Sequence, residues 1–231
     1  MLTINIKIEI NQSLFFSKKK IVNAEKTILY IGGIVMSVLV AIKEKDRVVV
    51  GVDIRMSCGE AYADSYNRRP KAIHLNDKRD IIIGAVGNCG LVDVMRQIIT
   101  EYRIADIYKI DRSYIVKYIL PALIVNVRDY ELTDKEGKMD GRILIAVKDK
   151  VFAISGNYVV DEIQNYVAMG SGEDAARGSL LTSEPFLKSP EERIKIAIRA
   201  SGSVVNTVSK ASYIGDTAGM GFKPAQQTKN P

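Results

Sequence analysis

The chain has 231 residues, a formal net charge of +6, 47% apolar residues and 26% charged residues. This profile fits an ordinary globular domain and excludes wholesale disorder, collagen-like repeats and many-span membrane proteins. One histidine, His74, and two distant cysteines, Cys58 and Cys89, argue against a multi-histidine zinc site and a disulfide framework, so a cytoplasmic setting without metal or cofactor is expected.

Residues 1–36 differ in composition from the rest of the chain. They carry five lysines against two glutamates, half of the net charge, and are rich in Ile, Lys and Asn. Three readings compete: a membrane or signal segment, an N-terminal strand or propeptide, and a stretch foreign to the natural protein. The uncharged run 27–42 is shorter than the roughly 18–20 residues that span a bilayer, and no small-residue cleavage site follows, so no membrane partner is expected. The third reading is favoured. Ile, Lys and Asn are what AT-rich DNA encodes when read through, and Gly32-Gly33-Ile34-Val35-Met36 can be encoded with a ribosome-binding GGAGG a few bases before an ATG. Translation from Met36 followed by methionine removal would leave Ser37 as the first residue.

From Ser37 the elements run in order. Ser37–Ile42 and Arg47–Asp53 are apolar runs flanking the charged turn Lys43–Asp46, which predicts a β-hairpin. Further strands are predicted over Glu60–Tyr66, Lys71–Asn76 and Asp80–Val86. After the glycine-bearing junction 84–90, helical spacing of apolar residues predicts helices over Leu91–Tyr102 and Arg112–Tyr130. Strands follow at Arg142–Lys148, Lys150–Ser155 and Val167–Met169, then helices at Glu173–Leu181 and from Pro190 to about Ala200. Ser189, Pro190, Glu191 and Glu192 form a good helix start. A late strand is predicted at Val204–Val208, with a domain over 37–214 and a mobile tail over 215–231. Sequential strands favour antiparallel sheets, and segregated helix pairs favour cover on the outer faces. The expected class is α+β, a four-layer αββα sandwich.

Ser37–Ile42 and Val48–Asp53 resemble the opening of proteasome β-type and HslV-like N-terminal nucleophile hydrolases. The likeness continues through Arg69–Ile73, Ile83–Gly87 and Val167–Gly172, in the family's order, across nearly all of 37–209. It implies Ser37 as nucleophile, Lys71 as the cation beside it, Asp53 as the partner of Lys71, Gly87 as a backbone oxyanion donor, and Ser171 as a group that hydrogen-bonds the α-amine. A free α-amine, with an ordinary pKa near about 7.7–8.0, is partly neutral at pH 7 and could act as base without any histidine. Departures are visible. Serine replaces the usual threonine, Val38 replaces a second threonine, and the loop before Lys71 is longer, so an ungapped count would select Arg69 instead. Ser203 and Asn206 stand where many β-subunits have Asp and Ser. Met36 replaces the glycine that commonly precedes the nucleophile, which favours methionine removal over self-cleavage.

Each residue also has a plainer explanation. Lys71 and Asp53 could be a surface ion pair, Gly87 a tight junction, and Ser171 a helix cap. His74 is expected to be packed or exposed, not catalytic. Cys58 and Cys89 are expected as small buried hydrophobes, with Cys89 alternatively lining a pocket near Gly87. The resemblance implies a peptidase acting on peptide or protein substrates in a homo-oligomeric ring, with room for an ATPase unfoldase partner. The basic clusters Lys18–Lys20 and Arg68–Arg69 are short and free of interleaved aromatics, so no nucleic-acid partner is expected. The alternatives are an inactive ring or scaffold subunit, or an acyl transferase or peptide ligase.

Overall fold

Strand β1 (Val38–Lys43) is flanked on both sides in its sheet and buried on both faces, which is why its sequence is apolar without alternation. The computed structural model describes residues 37–58, 61–64, 70–101, 107–187 and 189–225. The expectations for 1–36, for Arg69, and for the ends of the Glu60–Tyr66 strand lie outside the described residues.

Two antiparallel five-stranded sheets form the centre. Sheet I has the order β10-β1-β2-β11-β12, with β2 at Val48–Asp53, β10 at Tyr166–Gly170, β11 at Ser212–Asp216 and β12 at Lys223–Pro224. Sheet II has the order β5-β6-β7-β8-β9, with β5 at Ala72–His74, β6 at Ile81–Gly87, β7 at Gly141–Val147, β8 at Lys150–Ile154 and β9 at Val160–Glu162. A separate hairpin joins β3 (Arg55–Cys58) to β4 (Ala61–Asp64).

The alternation of side chains across each strand builds three apolar layers. Leu39, Ala41, Val50 and Val52 meet Ile82, Val86, Leu144 and Ala146 between the sheets. Val38, Val40 and Ile42 face Ala176, Leu180, Ile194 and Ile198, from helices α3 (Glu173–Ser183) and α4 (Pro190–Val204). Ile83, Ala85, Ile143 and Ile145 face Leu91, Met95, Ile98, Ile119 and Leu123, from helix α1 (Gly90–Glu101) and helix α2 across 112–129. The expected αββα sandwich is therefore what forms.

Helix α2 changes gauge midway. An α turn at Arg112–Tyr114 leads into a π segment, Ile115–Ile119, before α geometry resumes over Leu120–Asp129. Pro121 explains the change, because it lacks an N–H and its ring crowds the carbonyl one turn earlier. The wide turn, in which the Leu120 N–H donates to Ile115 O, carries the helix past that point.

The predicted strand at Val204–Val208 does not form. Helix α4 continues through Gly202 to Val204, and the one Ser201 hydroxyl hydrogen is shared between Gly172 O at 2.7 Å and Ala197 O at 3.0 Å. The strand that completes sheet I is β11, placed by its pairing to β2 from Ser212↔Asp53 to Asp216↔Val49. Gly215 and Asp216 lie in it, and Lys223–Pro224 pair back onto it. Of the residues expected as tail, Gly215, Asp216, Lys223 and Pro224 lie in strands of sheet I, joined by the turn 217–222; 226–231 lie outside the described residues. No helix among the described residues is long and apolar enough to cross a membrane.

Candidate active site

The end of β2 and the start of β1 bring Asp53 and Ser37 side by side. Asp53 is fully buried and serves as acceptor for four donors. Its Oδ1 takes the Val38 N–H at 2.9 Å and Lys71 Nζ at 2.5 Å. Its Oδ2 takes the Arg55 N–H at 3.0 Å and the Ser209 N–H at 3.1 Å. A buried carboxylate costs several kcal/mol unless paired and hydrogen-bonded, and here every oxygen has two partners. The Asp53–Lys71 pair is buried, with 0% and 7% of the side chains exposed, so the surface-pair alternative fails.

Lys71 reaches this carboxylate from the other sheet. It precedes β5, and its carbonyl oxygen accepts the Ala85 N–H at 2.8 Å. Pro70 before it has its own φ fixed by the pyrrolidine ring. Lys71, Ser37 and Gly87 line one small open cavity. The remaining walls are Met56, Pro70, Ala85, Cys89 and Val92, apolar and sulfur-bearing. Cys89 is half-buried on that wall; the side chain of Cys58 lies outside the described residues.

Gly87 ends β6 at φ +93°, and a Cβ there would lie 2.5 Å from Gly141 Cα and 2.7 Å from Asp140 O. Strand packing alone therefore demands glycine at this position. Gly170 is equally constrained: at φ +104°, a Cβ would lie 2.0 Å from Ser37 O. The loop after β10 closes on the Ser37 backbone in this way, and Gly172 N and Ser171 Oγ both approach Ser37 O at 3.4 Å. The resemblance implies that Ser171 meets the amine; its observed contact is with the carbonyl. It is not a helix cap either, because Gly172 holds that position in α3.

Ser203 stands apart from the site, donating to Arg199 O at 2.9 Å within its own helix. Asn206 contributes through its carbonyl, which accepts from the Arg55 guanidinium at 2.6 Å. Two participants were not anticipated, Ser209 and Arg55. The Arg55 N–H bonds the Asp53 side chain two residues back, the local pattern that Asp favours at turns, and that spacing could have revealed it. Ser209 is brought in by tertiary structure alone.

His74 lies further along β5, half-buried. Its Nε2 is 2.9 Å from Asp216 O and its ring is 5.1 Å from that of Phe222. Burial holds its pKa below the ordinary imidazole value and Arg79 adds to the lowering, while the Asp216 carbonyl and carboxylate oppose it. No group of three or more His, Cys, Asp or Glu among the described residues could hold a metal ion.

The arrangement is a buried carboxylate–ammonium pair beside a serine at the head of a central strand, in an αββα sandwich. The proteasome subunit family model matches residues 37–212, and the chain belongs to that family. Among solved structures it is similar to BPH of Thiobacillus denitrificans, seen in complex with epoxomicin. That match has 15% identity and a TM-score of 0.60, and covers 81% of this chain and 100% of that one. It is also similar to HslV of Trypanosoma brucei, with 17% identity, a TM-score of 0.56, and cover of 78% and 98%. These identities speak to the fold. No curated protein matches.

Proposed function

We propose that the protein is a proteasome-like peptidase whose nucleophile is Ser37, freed as the first residue of the active chain. The observation that carries this is Lys71, its ammonium buried against Asp53, lining one cavity with Ser37 and Gly87. In the 231-residue chain the Ser37 nitrogen is an amide of Met36, which is no base. Removal of everything before Ser37 converts it to an amine that can take the hydroxyl proton.

In this reading Ser37 Oγ attacks the scissile carbonyl while its proton passes to the α-amine. Lys71, held by Asp53, stabilises the developing alkoxide and the tetrahedral oxyanion, and the Gly87 N–H faces the same oxygen. Collapse breaks the C–N bond, and the leaving amine takes the proton back from the α-ammonium. The acyl-serine is then cleaved by water through the same base, regenerating Ser37. Ser171, through its contact with Ser37 O, supports the backbone that presents the amine. Serine in place of threonine supplies the same hydroxyl without the methyl group that restricts χ1.

The substrates are peptide or protein chains, and the subunits assemble into a homo-oligomeric ring in the cytoplasm, with an ATPase unfoldase as a candidate partner. A second reading has a specific observation behind it. With Met36 attached, Ser37 is 1% exposed, as suits an inactive ring or scaffold subunit. The test is exposure of the protein to epoxomicin, the ligand of the T. denitrificans relative, followed by peptide mass spectrometry. An adduct on a peptide beginning at Ser37 supports the peptidase; an unlabelled protein with residues before Ser37 retained supports the inactive subunit. Passage of the acyl group to an amine instead of water would make the protein a transferase, which product analysis with added amine distinguishes.

A further inference from the structure

Ser37 and Asp53 belong to sheet I, whereas Lys71 enters from sheet II at the head of β5. The proposed chemistry therefore depends on how the two sheets register at β5. That strand is three residues long and, among the described residues, is an edge with β6 as its one ladder neighbour. Backbone pairing fixes it within sheet II but not across the gap to sheet I.

Residues 216–222 bridge that gap. Asp216 Oδ1 accepts the N–H groups of Ala218 and Met220 at 3.0 and 2.8 Å, and the Asp216 N–H donates to Met220 O at 3.0 Å, closing a tight turn. Arg47 anchors the other carboxylate oxygen at 2.7 Å. From sheet II, His74 Nε2 meets Asp216 O at 2.9 Å, Arg79 reaches Gly219 O at 3.3 Å, and Phe222 packs on the His74 ring. Thr217 Oγ1 donates to Lys148 O at 2.5 Å. A carbonyl oxygen can only accept, so Nε2 carries the hydrogen and His74 is the donor.

We propose that His74 is a positioning residue for the Lys71 ammonium, with the 216–222 turn acting as a clasp that sets β5 against sheet I. This rests on the peptidase reading. The segment is the one whose composition predicts a mobile tail, and the sole histidine of the chain is what links it to the lysine strand. A displacement of about 1 Å at a reacting group can cost about a hundredfold in rate, so a modest loosening at His74 is felt at Lys71.

The test uses His74→Phe, which keeps a ring against Phe222 but removes the donor, and His74→Gln, which keeps an N–H near the Nε2 position. Both are made in the 231-residue chain and in the chain started at Met36. Turnover is normalised to active sites titrated with epoxomicin, and acylation of Lys71 by an amine-reactive ester is followed by peptide mass spectrometry. For His74→Phe, kcat per titrated site is expected to fall about 10- to 100-fold with KM within about twofold of wild type, and Lys71 acylation is expected to accelerate. His74→Gln is expected to recover most of both. Wild-type kcat per site together with wild-type Lys71 acylation in His74→Phe, whatever its melting temperature, would overturn the proposal. Should wild type neither turn over peptides nor take epoxomicin, the peptidase reading fails, while Lys71 acylation still reports whether the clasp holds the lysine.

Discussion

Asp53→Asn tests the site's electrostatics without reference to activity. The carboxylate has two donors on each oxygen: Val38 N–H and Lys71 on one, Arg55 N–H and Ser209 N–H on the other. An amide offers one oxygen and one NH₂ group. Whichever way the new amide is turned, two donors face another donor, and the Lys71 ammonium loses its counter-charge at 7% exposure. Breaking a buried pair by removing one partner costs about 3–5 kcal/mol. Each buried donor left unsatisfied costs about 1–3 kcal/mol, contributions that overlap and do not simply add. We therefore expect a loss of about 3–5 kcal/mol, or a fall of about 6–20 °C in Tm at the 2–4 °C per kcal/mol typical of domains this size. Lys71→Met, which leaves Asp53 three N–H donors, should cost less. Calorimetry and urea unfolding at pH 7 check both variants. A Tm for Asp53→Asn within about 2 °C of wild type would refute the reasoning, because no orientation of the amide satisfies four donors.

Lys71→Ala should lower kcat/KM by at least about 10²–10³, and Lys71→Arg should also be poor, since a planar guanidinium does not replace a compact ammonium. Arg69→Ala should stay active; a dead Arg69→Ala beside an active Lys71→Ala in a peptide-amide assay would show the wrong residue was chosen. Light scattering at micromolar concentration should give a mass several times that of one chain, and a monomer would contradict the ring. Stability should decline as pH falls below about 6.5. The lowered pKa of His74 means the unfolded chain binds the proton first, so stability is full above the unfolded value and is lost toward the folded one, by at most about 1.4 kcal/mol per pH unit. The charged groups facing His74 are Arg79 and Asp216. His74→Gln should flatten this slope in urea titrations between pH 5 and 7, and an unchanged slope would assign it to other groups.

Much of the fold is legible in the sequence because its strands are covered on both sides. Val48–Asp53, Ile81–Gly87 and Gly141–Val147 are buried nearly end to end, and such runs stand out whatever the register. The strands that escape notice, β3, β9 and β12, are short and largely polar. Strand β11 hides behind its glycine and aspartate, and is a strand because β2 offers it an open edge. Val204–Val208 misleads because β-branched residues follow Gly202, whereas packing on α3 and the Val205 N–H bond to Ser201 O carry the helix through Val204. At the site, Asp53 closes an apolar run and Lys71 follows a proline, which are local marks. The donors that complete Asp53 are mostly backbone N–H groups, which any residue but proline supplies. That is why Ser209 leaves no trace in the sequence. Gly87 shows the converse hazard: its glycine is legible, yet the contacts that require it are with Gly141 and Asp140.

The most direct test of the central claim is the N-terminus of the active protein isolated from its native cell, read by intact mass and terminal sequencing. The account predicts a chain beginning at Ser37, carrying the epoxomicin adduct after treatment. A chain that begins at Met1, retains residues 2–36 and still hydrolyses peptides would contradict it, since an acylated Ser37 nitrogen cannot serve as the base.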